Sequence, residues 1–228
     1  MWKSIIGIAS ALLASTACMA ADLTPTEQRW LNGVWPVVKF AKAAAFPLDI
    51  VVQPQPSPGT APLALAFVDG RCKLVLSMRE NAEAQATLDR IEPDALDATL
   101  QMMAAHELGH CRRYLDGAWH GVPAGFSARV PTALDPALRA AFEQMRAQRR
   151  EEGYADLVGL AWTLKHHPQH YAKLHRWLIN ERSREVVDGS PHDTLAWVRR
   201  AGHASALTHE SIFDGPAIAW AQALEDDE

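Results

Sequence analysis

Between Pro93 and Gly117 the chain places Leu96, Leu100, Met103, Ala104, Leu108 and Cys111 at helical spacing, with His106 and His110 four residues apart inside the run. The pattern predicts a helix over about 94–115, begun at Pro93-Asp94 and stopped by Asp116-Gly117. Two residues four apart on a helix differ by about 40° in azimuth and about 6 Å in height, so both imidazoles can converge on one cation. Glu107, about 100° round from His106, then reaches a water held by that cation. With 10 histidines in 228 residues, this His-Glu-x-x-His arrangement is expected by chance only about 0.025 times in such a chain. A fold that uses it must bury this helix, leave one side facing a cleft and deliver a third ligand from elsewhere.

Three places offer that ligand. Arg113 occupies the glycine position of a metzincin-type extension, which leaves only Asp116 as a ligand of that kind, and no Met-turn follows. His120 lies in the Gly- and Pro-rich segment 117–132, read as a loop able to line a cleft. Glu152 lies within a further helical stretch that Asp135-Pro136 opens and that runs to about Lys165, with a possible break near Gly153. Glu152 and Asp156, at i and i+4, share a helix face, so one can bind a metal while the other accepts the remaining ring N–H of a ligand histidine.

The pair of segments His106-Glu107-Leu108-Gly109-His110 and Glu152-Gly153-Tyr154-Ala155-Asp156 resembles the gluzincin metallopeptidases, the thermolysin-like group. The Glu-x-x-Ala-Asp form is most similar to the CAAX-prenyl-protease-like peptidases, which include soluble periplasmic members. The resemblance covers two helices. It implies one Zn²⁺ bound by His106, His110 and Glu152, Glu107 as general base, Asp156 supporting a ligand histidine, and a downstream histidine that stabilises the tetrahedral intermediate. His192, in Ser190-Pro191-His192-Asp193-Thr194, is the first candidate for that histidine, ahead of His166, His167, His170 and His175.

Composition limits the partners. The chain is 48% hydrophobic and 21% charged, enough for one sizeable core. The net charge of −5, without a basic run, argues against a nucleic-acid surface. Lys3, the apolar stretch Ile5–Ala17 and Cys18-Met19-Ala20 read as a secretory signal over 1–20 with cleavage after Ala20. Ser15-Thr16-Ala17-Cys18 also resembles a lipoprotein box, the alternative being a lipid anchor at Cys18. No other stretch is apolar enough for a membrane helix. Cys72 and Cys111 remain, an even pair compatible with one disulfide in an oxidising compartment or with two buried thiols. The eight tryptophans read as core.

The rest of the chain predicts an α+β fold. Thr24-Pro25-Thr26-Glu27 opens a helix that Pro36 bends or ends. Residues 48–52 read as a strand, 54–62 as a loop, and 63–68 and 72–78 as a hairpin about Asp69-Gly70. A small antiparallel sheet should therefore lie on the motif helix, followed by a mostly helical subdomain with further helices near 169–187, 193–201 and 216–224, in one zincin-like domain over 21–228. The expected activity is a secreted or periplasmic zinc-dependent peptidase whose peptide or protein substrate adds to the sheet edge near Cys72–Met78. The alternative is a non-catalytic zinc-stabilised envelope binding or assembly factor. Glu107 favours the enzyme, since a structural site needs no base.

Overall fold

The computed structural model describes residues 22–117, 135–184, 187 and 190–225. The expected signal segment over 1–20 with Cys18, His120 and most of the 117–132 stretch lie outside the described residues. Helix α1 (Pro25–Ala43) begins at a reciprocal capping box: the Thr24 hydroxyl accepts from the Glu27 N–H, and the Glu27 carboxylate accepts from the Thr24 N–H. Pro36 does not end this helix, which runs seven residues further to Ala43. Burial of Val34, Val37, Val38 and Ala41 on one face outweighs the hydrogen bond that the proline removes. Trp30, fully buried, donates its indole N–H to the Ala84 carbonyl at 3.0 Å.

Strands β1 (Leu48–Pro54), β2 (Leu63–Val68) and β3 (Arg71–Arg79) form the sheet. The expected hairpin is present: β2 and β3 are antiparallel across Asp69-Gly70, both with positive φ as a tight turn of this type requires. The sheet is nevertheless mixed and not antiparallel, because β1 pairs parallel to β3, with Leu48 opposite Cys72, in the order β1-β3-β2. The two-residue turn forces β2 and β3 to be neighbours, whereas residues 55–62 are long enough to step over one strand width and let β3 insert between β1 and β2. The stretch Cys72–Met78 is therefore central and offers no free edge, which corrects the expected docking strand. Among the described residues the edge strand on the site side is β2.

Helix α2 (Ala82–Asp89), capped by the Asn81 side chain, escapes the apolar pattern because only Ala84 and Thr87 face inward. The motif helix α3 (Leu96–Leu115) follows a 3₁₀ turn at Pro93–Ala95. It contacts α1 and β2 on one side and the long helix α4 (Pro136–His166) on the other. Helices α5 (Tyr171–Ser183), α6 (Leu195–Arg200) and α7 (Asp214–Glu225) pack round α4, making seven α-helices among the described residues. Buried side chains from α1, the sheet and all the later helices form one contiguous core. None of the described helices is long and apolar enough to cross a membrane.

Helix α4 is unbroken at Gly153. A Cβ there would come within 2.6 Å of the Trp197 ring, so the glycine serves the docking of α6 and not a helix break. Gly109, between the two motif histidines, has a matching role: a Cβ would lie 3.1 Å from the Ala155 Cα. Its absence lets the α4 backbone close onto α3 opposite His106 and His110. Cys72 and Cys111 are joined, with a Cα–Cα distance of 5.7 Å and no exposed surface, tying the central strand to the residue after His110.

Candidate metal centre

Close packing of α3 on α4 turns the faces carrying His106, His110 and Glu152 toward each other. His106 Nε2 and His110 Nε2 are 3.1 Å apart. The Glu152 carboxylate closes the triangle, with Oε2 3.3 Å from His106 Nε2 and Oε1 3.4 Å from His110 Nε2. Donors about 2.0–2.1 Å from a tetrahedral zinc lie roughly 3.3–3.4 Å from one another, so the two imidazole nitrogens and the Glu152 carboxylate, one oxygen facing each, are placed near the spacing one such ion requires. Among the described residues no other set of three His, Cys, Asp or Glu side chains converges in this way. Asp116, a competing third ligand, accepts instead from Arg112 one turn back, at 2.8 Å.

Asp156 is 1% exposed and collects four donors. His106 Nδ1 lies 2.9 Å from its Oδ1, Arg182 donates to both oxygens at 2.6 and 2.9 Å, and the Thr194 hydroxyl donates to Oδ2 at 2.6 Å. Bonding through Nδ1–H leaves the His106 Nε2 lone pair directed into the triangle, the tautomer a metal ligand needs. Burial opposes ionisation of Asp156, but the Arg182 charge and the His106 bond outweigh it and hold its carboxyl well below the usual range. Arg182 also comes within 3.5 Å of Glu152 Oε2.

The charges of the centre depend on one another. Burial works against a charged His106, yet Asp156 and Glu152 together push its pKa up to about 10. Burial likewise opposes the Glu152 anion, but the two histidines hold its carboxyl well below its ordinary range. Glu107 goes the other way: burial raises its carboxyl pKa, helped by Glu152 and opposed by the histidines and Arg182. The carboxylates of Glu107, Glu152 and Asp156 and the Arg182 guanidinium thus set one another's protonation around the two imidazoles. A divalent ion held by neutral imidazoles would take the place of the His106 proton between Glu152 and Asp156.

The triangle opens into a cleft of about 420 Å³. Glu107 lines it beside the histidines, as does His192, whose Nε2 is 3.8 Å from Glu152 Oε2. The competing histidines do not line it. His166 stacks on Trp162, His167 bonds Gln101, His175 bonds the Val198 carbonyl, and His170 stands near His167. One wall is β2, through Leu63, Ala64 and Leu65, and the other is α5, through Trp177 and Leu178. Trp177 packs against the core as well as lining the cleft, whereas Trp35 is exposed and departs from the reading of every tryptophan as core. Arg182 and Thr194 lie 26 and 38 residues beyond Asp156, in no motif, and nothing in their local sequence marks them as its partners. No family model, curated protein or solved structure matches this chain.

Proposed function

We propose that this protein is a zinc-dependent peptidase of the gluzincin type, exported from the cytoplasm. The observation that carries the reading is the closed triangle of His106 Nε2, His110 Nε2 and Glu152 on the floor of an open cleft, with the half-buried Glu107 carboxyl beside it. A zinc ion bound there would polarise the scissile carbonyl and acidify the attacking water. Glu107 would accept the proton of the attacking water as the new C–O bond forms and then pass it to the amide nitrogen, so that the C–N bond breaks with a neutral amine leaving. Its raised pKa suits a group that must both take and release a proton. Asp156 keeps His106 in the binding tautomer, and His192 donates a hydrogen bond to the carbonyl oxygen as negative charge develops on it.

An extended peptide would add to the edge strand β2, which lines the cleft, with alternate side chains directed toward Trp177 and Leu178. Export is supported by the pattern of the first twenty residues and by the Cys72–Cys111 bond, of a kind that persists in oxidising compartments. The test is Glu107→Gln. It should retain stoichiometric zinc by elemental analysis while hydrolysis of a peptide library falls by about 10²–10⁴-fold. Wild-type protein that binds zinc but cleaves nothing, together with full rescue of a deletion phenotype by Glu107→Gln, would replace the enzyme with the binding or assembly factor.

A further inference from the structure

Thr194 stands at the N-cap of α6, where a threonine hydroxyl ordinarily accepts a hydrogen bond from the first turn of its helix. Here it makes no such bond. The hydroxyl points away from the helix and donates to Asp156 Oδ2 at 2.6 Å, from a residue with no exposed surface. Such a departure from local preference is expected where a residue serves a site and not its own helix. The same residue braces its neighbour His192, since the Thr194 N–H donates to the His192 carbonyl at 2.9 Å. The turn between them is tight, with the Asp193 N–H bonded to the Ser190 carbonyl at 3.0 Å. On its far side Arg149 of α4 donates to the Asp193 carbonyl and pairs with the Asp193 carboxylate at 3.2 Å.

We propose that Thr194 is a positioning residue for His192. By donating to Asp156, the carboxylate that also orients His106, its hydroxyl docks the Ser190–Thr194 turn against the metal centre and sets the His192 imidazole over the cleft. Arg149 and Thr194 grip the turn from two sides, while the His192 side chain is 66% exposed and touches the centre only at 3.8 Å from Glu152. The imidazole is therefore aimed by its backbone and not by contacts of its own ring. One buried carboxylate thus sets both a metal ligand and the group facing the substrate. The inference rests on the peptidase reading for its catalytic consequence, but its structural content stands apart from it.

The test uses Thr194→Val, which keeps the shape and removes the hydroxyl, and Thr194→Ser, which restores it. Asp156 retains both Arg182 bonds in either variant. In the metal-free protein, hydrogen–deuterium exchange over residues 190–194 should rise in Thr194→Val and stay at the wild-type level in Thr194→Ser. In the zinc-loaded protein, Thr194→Val should lower kcat on a cleaved library peptide by roughly 10–100-fold, the scale of a misplaced catalytic group. KM and zinc content should hold, and Thr194→Ser should recover the rate. In a His192→Ala background the same Thr194→Val change should cost nothing more, because its effect passes through His192. Unchanged exchange in Thr194→Val, an unchanged kcat, or a loss that adds in full to that of His192→Ala would each overturn the proposal. Wild-type protein that cleaves no peptide would count against the peptidase reading alone, and the exchange measurement would still decide the role of Thr194.

Discussion

His106 and Asp156 are fifty residues apart in the chain, yet Nδ1 of one meets Oδ1 of the other at 2.9 Å. The bond crosses the α3–α4 interface at the point where Gly109 lets the two backbones close. It makes the orientation of the His106 nitrogen that faces His110 depend on a carboxylate of the next helix. Asp156 is in turn held by Arg182 from α5 and by Thr194 before α6. The candidate metal centre thus has its outer support in the helical half of the molecule and two of its three ligands on the motif helix.

Asp156→Asn should weaken zinc binding by about 10–100-fold, the usual effect of removing a carboxylate behind a ligand histidine. The amide still fits the space but no longer favours the Nδ1–H tautomer or balances Arg182. Competition against a chromophoric zinc chelator measures the change. Affinity equal to wild type would show that His106 does not rely on this carboxylate.

Glu152→Ala should abolish stoichiometric zinc binding, while Asp116→Ala leaves it intact. Glu152 closes the donor triangle, whereas Asp116 is half-exposed and pairs with Arg112. Elemental analysis of the two purified variants separates them. Full occupancy in Glu152→Ala with loss in Asp116→Ala would reverse the ligand assignment.

Replacing Cys72 and Cys111 by alanine should lower stability by about 3–4 kcal/mol, from the added freedom of the unfolded chain across a separation of 39 residues. For a chain of this size that corresponds to a fall in Tm of roughly 6–16 °C. Mass mapping under non-reducing conditions checks the bond itself, and calorimetry of the double variant checks its contribution.

Gly153→Ala should destabilise the protein although it improves the intrinsic helix preference of α4. The propensity gain is about 1 kcal/mol. The new Cβ would sit 2.6–2.7 Å from ring atoms of Trp197, which is fully buried and cannot retreat, and overpacking of this kind costs about 1–3 kcal/mol. Chemical denaturation should show a net loss, and a net gain would mean that α6 can shift to admit the methyl group.

The features legible in the chain are those whose geometry is decided within a turn or two of backbone. Leu96 to Cys111 recur at helical spacing, so α3 and the convergence of His106 and His110 could be read directly. Glu152 and Asp156 share a face for the same reason, Thr24 and Glu27 announce a helix start, and Asp69-Gly70 dictates a hairpin. The strand order was not local: β1 is joined by a loop long enough to permit either neighbour, and only packing against α1 and α3 selects the parallel pairing with β3. Gly153 looks like a break in sequence and proves to be a contact for Trp197, since a glycine does not reveal whether it is there for its φ or for the space it leaves. Arg182 and Thr194 reach Asp156 from separate helices, and side chains that meet only because several elements pack together leave no periodic mark. The amino-acid sequence by itself therefore determined the elements and the donor types, whose periods are set by the backbone. Tertiary structure decided which carboxylate, guanidinium and hydroxyl surround them, because those contacts exist only once the helices close on one another.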